Sequence, residues 1–166
     1  MRLQTLTKLL TDAQKVASPR ESRLNPRKYR AILPAWLLRD AAQRGEAYPL
    51  AVLNAQRDPD TVAMVPTTWG LEVANVIARS EAKELVTAAQ SGSFISLLEG
   101  LSIEVDADTF THVLSDTLQL SRRYRLSSYD ASYLELALRS GGPIATLDDG
   151  LRRAANKAGV KTFKPT

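Results

Sequence analysis

Two patterns of apolar residues alternate along this chain, one spaced at three and four and one running unbroken. Trp69, Val73, Val76 and Ile77 fall at i, i+4, i+7 and i+8, one face of a helix, with Thr67 or Thr68 before them as a cap and an end near Lys83. The run Val62–Val65 stops at Pro66 and reads as a buried strand, with Asp58-Pro59-Asp60 as the turn before it. Further helices are predicted over 35–43, 48–56, 86–99 (with Ser91-Gly92 as a possible break), 108–124, 127–139 and 149–158. Leu101–Val105 and Ile144–Leu147 read as strands, and Val160–Phe163 as a last edge strand after Gly159. Ahead of all this, Leu3, Leu6, Leu9, Leu10, Ala13 and Val16 outline a short amphipathic helix, and the Arg- and Pro-rich residues 18–30 read as a linker or a disordered segment.

Strands alternating with helices predict a three-layer α/β/α domain around a central, mostly parallel sheet. It occupies residues 31–166, behind a basic arm at 1–30. In such sheets functional groups gather beyond the carboxyl ends of the strands.

Composition narrows the chemistry. With no cysteine and a single histidine, His112, thiolate metal sites, disulfides and a Ser-His-Asp triad drop out, and a reducing cytoplasm is the natural compartment. Any metal must be held by oxygen, which means a hard ion such as Mg²⁺ or Mn²⁺. No apolar run reaches the roughly 18 residues of a membrane span. The net charge of +4 is not itself a nucleic-acid signal. Residues 1–40 carry nine basic and three acidic side chains, the rest thirteen and fifteen, so the body is mildly acidic. The basic, acid-poor arm also leaves a transit peptide open.

Three carboxylates stand where the sheet would place function. Glu72 lies in the first turn of the helix after the Val62–Val65 strand, on a polar stripe with Asn75 and Arg79. It could equally be a solvated residue favourable to the helix dipole. Asp130 opens a helix, where Ser127 and Asp130 also suit a capping box. Asp148 ends the strand Ile144–Leu147 and suits a plain N-cap. Taken together they suggest more, because converging carboxylates repel unless a divalent cation sits among them. There is no Gly-rich phosphate loop and no nucleophile elbow.

The residues around these acids resemble a known family. Val65-Pro66 and Trp69 followed by Leu71-Glu72-Val73-Ala74-Asn75, then Ser128-Tyr129-Asp130-Ala131, then Pro143-Ile144-Ala145-Thr146-Leu147-Asp148, are similar to the acidic motifs of PIN domains, most closely the VapC-type toxins of bacterial toxin–antitoxin pairs. The likeness extends from about Pro34 to Phe163. It implies Mg²⁺-dependent cleavage of RNA, frequent homodimers and an antitoxin that blocks the site. By resemblance, Glu72, Asp130 and Asp148 are metal ligands, and Asn75, Ser128 and Thr146 orient them. Arg79, or Arg122, Arg123 and Arg125, would meet phosphates.

One motif departs. The family opens with a hydrophobic strand ending in aspartate, then small residues and a helix like Ala35-Trp36-Leu37-Leu38. Counting back from Trp36, that aspartate falls at Tyr29, within Arg27-Lys28-Tyr29-Arg30-Ala31-Ile32-Leu33-Pro34. Asp40 is no substitute, since eleven largely helical residues put it roughly 10–16 Å away. The sequence thus predicts a domain whose first strand is absent or disordered and whose first carboxylate is missing. A reading frame shifted before Pro34 explains this, as does a degenerate member that binds an antitoxin or RNA without cutting. A third reading has the N-terminal helix replacing the strand in a different α/β protein.

Overall fold

The computed structural model describes residues 29–32, 47–56 and 61–164. The arm, the helix predicted over 35–43 and the turn at 58–60 lie outside those residues, apart from the arm's last two positions.

The sheet is built on a strand that composition conceals. Strand β1 (Tyr29–Ile32) pairs parallel with β2 (Thr61–Pro66), which pairs parallel with β3 (Ile103–Asp106). On its other side Ile32 bridges Ile144, and Ile144 bridges Thr162, both parallel. The prediction of a missing first strand is therefore corrected: β1 is present, central, and begins at Tyr29. Its Arg-containing sequence shows no hydrophobic run, yet a four-residue ladder to β2 and a single bridge to Ile144 define it, and Ile32 is fully buried.

β2 behaves as a covered parallel strand should, with all six residues buried. β3 starts two residues later than its apolar run suggests and lies at the sheet edge, with Val105 exposed. The strands predicted at 144–147 and 160–163 shrink to single bridges. Pro143 has no N–H to extend the ladder, although its carbonyl accepts from Ile32 N at 2.8 Å. Downstream, Thr146 Oγ1 accepts from Asp148 N at 3.0 Å and turns the chain toward the next helix.

Helices α1 (Ala47–Ala55), α2 (Trp69–Ala82) and α3 (Ala88–Glu99) complete the first half. α3 is unbroken at Ser91-Gly92; Thr87 and Gln90 close a reciprocal capping box at its start. The single helix predicted over 108–124 is three pieces: α4 (Thr109–His112), a π-helical turn (Val113–Thr117) and α5 (Leu118–Tyr124). Arg125 ends α5 at φ 55°, a left-handed position usually given to glycine.

Helices α6 (Ser128–Ser140) and α7 (Asp149–Lys157) follow. α6 is the central helix. Ala131 through Ala137 are all buried, because the helix packs on β1 and β2 and also on α5, the π turn and α7. Burial of each Leu there contributes about 1.5–3 kcal/mol. Gly141 stops α6 at φ 72°. The result is a three-layer α/β/α domain with Tyr133, Ile32, Leu134 and Ile144 in its fully buried centre. No helix among the described residues is long and apolar enough to cross a membrane.

Candidate functional site

Glu72 is set by local chemistry at the head of α2. Thr68 occupies the N-cap position but makes no capping bond; its hydroxyl instead donates to Glu72 Oε1 at 2.9 Å. The other carboxylate oxygen, Oε2, accepts from the Tyr133 hydroxyl of α6 at 3.1 Å. Half-buried, Glu72 holds its proton more tightly than an ordinary glutamate. Burial is the main cause and the nearby charge of Asp130 adds to it, while the Thr68 and Tyr133 hydrogen bonds pull the other way.

Asp130 is tied to the start of α6. Ser127 accepts from Asp130 N at 3.1 Å and donates to Asp130 Oδ2 at 2.7 Å, so the capping role and the acidic role coexist. Asp148 also caps, its Oδ1 accepting from Leu151 N at 2.7 Å. A side chain on Gly150 would bring its Cβ within 3.0 Å of that oxygen, so glycine keeps the cap open. Of the orienting residues, Thr146 is buried and supports Asp148 through its backbone, whereas Asn75 and Ser128 are exposed. Arg79, Arg122 and Arg123 are exposed too.

The structure therefore brings Glu72 and Asp130 into one another's field. It does not gather three acids: among the described residues, no three His, Asp or Glu side chains form a group able to hold a metal ion. Tyr29, the position counted for the family's first aspartate, opens β1 and carries no carboxylate. A pair of carboxylates, one of them half-buried and repelled by the other, nonetheless suits one hard divalent ion, which would relieve that repulsion. Glu72 and Asp130 would hold it. When bound, such an ion lowers the pKa of a coordinated water and neutralises charge on a phosphate.

Two residues of consequence, Tyr133 and Asp106, escape the sequence reading, and Thr68, expected as a cap, serves Glu72 instead. Tyr133 and Thr68 hold Glu72, and only the i−4 spacing of Thr68 signals either. Asp106, buried at the carboxyl end of β3, is gripped by the Arg139 fork at 3.1 and 2.7 Å and by the Thr109 hydroxyl at 2.7 Å. Arg139 also reaches the buried Glu135 at 2.8 Å. Burial alone would raise the Asp106 carboxyl, but Arg139 and Thr109 outweigh it and hold it below the usual 3.8.

A covered parallel sheet flanked by helices, with Glu72 and Asp130 at helix starts, defines a three-layer α/β/α domain with an acidic pair. The PIN domain family matches residues 36–157, most of the sequence, and the chain belongs to that family. No curated protein matches it. Among solved structures, the chain is similar to the crystal structure of PAE2754 from Pyrobaculum aerophilum, with a TM-score of 0.54 and 20% identity over 76% of this chain and 79% of that one. At that identity the likeness establishes the fold alone.

Proposed function

We propose that this PIN-domain protein is a divalent-metal-dependent ribonuclease acting as the toxin of a toxin–antitoxin pair. The observation that carries the reading is the half-buried Glu72 facing the charge of Asp130, in a domain of a nuclease-fold family. Glu72 and Asp130 would bind Mg²⁺ or Mn²⁺, while Asp148, which does not join them in a three-acid group among the described residues, is assigned as the third carboxylate by family resemblance. Their part is to fix the ion, and Thr68 and Tyr133 fix Glu72 in turn. An RNA substrate, a cognate antitoxin, homodimers and a cytoplasmic setting belong to the same proposal. Incubation with RNA and Mn²⁺ should give cleavage that EDTA stops and Asp130→Asn abolishes. Cleavage persisting in excess EDTA would remove the reading.

A second reading has its own observation. The missing first aspartate and the lack of a three-acid group among the described residues favour a PIN-fold protein that binds antitoxin or RNA without cutting. Calorimetry separates the two, since retained partner affinity without Mn²⁺ binding supports only the second.

A further inference from the structure

A groove of about 440 Å³ lies between the end of α5 and the exposed side of α7. Arg123, Arg125, Arg153 and Lys157 line it together with Tyr124, and no acidic residue does. That composition is unexpected, because residues 41–166 contain more acids than bases. None of the four cations makes an ion pair among the described residues, whereas Arg139 and Arg152 nearby are both engaged by carboxylates. Four unneutralised cations in one concavity repel one another and raise the local positive potential.

The placement is as informative as the charge. Arg153 and Lys157 are one turn apart on the same face of α7. Arg125 brings its charge at a left-handed position where glycine would relax the backbone. Arg123 stacks over the Tyr124 ring, 5.5 Å from its centroid, giving a flat surface beside the cations. The groove's wall also includes Leu126 and Gly150. Leu126 immediately precedes the Ser127 that holds Asp130, and a Cβ on Gly150 would lie 3.0 Å from Asp148 Oδ1, so two wall residues adjoin the caps that carry the candidate acids.

We infer that this groove seats the sugar–phosphate backbone of single-stranded RNA and leads it toward Asp130 and Asp148. A charged groove with an aromatic face is how single strands are held without sequence preference. The choice of RNA over another polyanion rests on the ribonuclease reading above; the groove's preference for phosphodiester anions rests on its cations.

The test is binding without cleavage. Fluorescence anisotropy of a labelled single-stranded RNA oligonucleotide would be followed in EDTA between about 50 and 200 mM salt. Two lost phosphate contacts in Arg153→Gln/Lys157→Gln should weaken binding about 10- to 30-fold near 0.1 M salt and flatten the log–log salt slope by roughly 1.4. Lys83→Gln/Lys161→Gln removes the same charge from exposed sites outside the groove lining and should change little. Equal effects from both pairs, or none from the first at unchanged melting temperature, would overturn the inference. So would competition by polyglutamate as strong as that by polyuridylate of equal charge. Groove-dependent binding without Mn²⁺-supported cleavage would sink the nuclease reading and leave the groove standing. Cleavage with an unchanged KM in Arg153→Gln/Lys157→Gln would do the reverse.

Discussion

The Tyr133 hydroxyl donates to Glu72 Oε2 at 3.1 Å, joining the fully buried centre of α6 to the head of α2. This contact ties the half-buried carboxylate to the central helix. Tyr133→Phe removes a donor from an ionised acceptor and should cost about 1.5–3 kcal/mol in denaturant unfolding at neutral pH.

The same substitution changes the pH dependence of metal binding. The hydroxyl favours the ionised form of Glu72, so its loss raises the carboxyl further above its ordinary 4.5. Mn²⁺ affinity should decline as pH falls through the Glu72 value, and the decline should begin at higher pH in Tyr133→Phe than in the wild type. Isothermal titration at a series of pH values reads this, and identical profiles would show that Glu72 holds no metal.

Arg139 and Asp106 give a stability prediction. Arg139→Ala strands two buried carboxylates and should cost about 2–4 kcal/mol, somewhat under a fully buried pair because the guanidinium is partly exposed. Asp106 is held below 3.8, so its contribution is complete above that pH and disappears as pH falls through its lowered value. The stability gap between wild type and Asp106→Asn should accordingly close in strong acid. Unfolding curves from pH 7 down to about pH 2 test it.

Ser127→Ala removes the cap of α6 and the 2.7 Å hydrogen bond to Asp130. A loss of about 1 kcal/mol, or a Tm lower by roughly 2–4 °C, is expected. A change within error would mean the cap contributes nothing to the folded state.

Ile32→Ala tests the central strand. A fully buried isoleucine truncated in a packed sheet should cost about 2–5 kcal/mol. Were β1 merely part of a dispensable arm, the melting temperature would hardly move.

The sequence revealed what is encoded over short distances. The apolar period of α2, the unbroken run of β2 and the caps at Ser127 and Asp148 all lie within stretches of nine residues or fewer, and each appears in the structure at its predicted place. Glu72 and Asp130 were legible for the same reason, since both mark helix starts. What joins distant segments was not. The Tyr133–Glu72 bond spans 61 positions and the Arg139–Asp106 pair spans 33, and neither leaves a local pattern. β1 was hidden because its identity comes from partners at Thr61–Met64 and Ile144, while its own residues include arginine and tyrosine. The π turn escaped because a five-residue bulge preserves the amphipathic look of an ordinary helix.

The position of Ile32 between Met64 and Ile144 also dictates an order of events during folding. β1 can zip onto β2 early, but its other edge stays unpaired until a segment near the far end of the chain arrives. Closing so long a loop is entropically slow. A nascent chain arrested before Ile144 would therefore carry an open parallel edge at its centre, the kind of surface that chaperones cover and aggregates recruit.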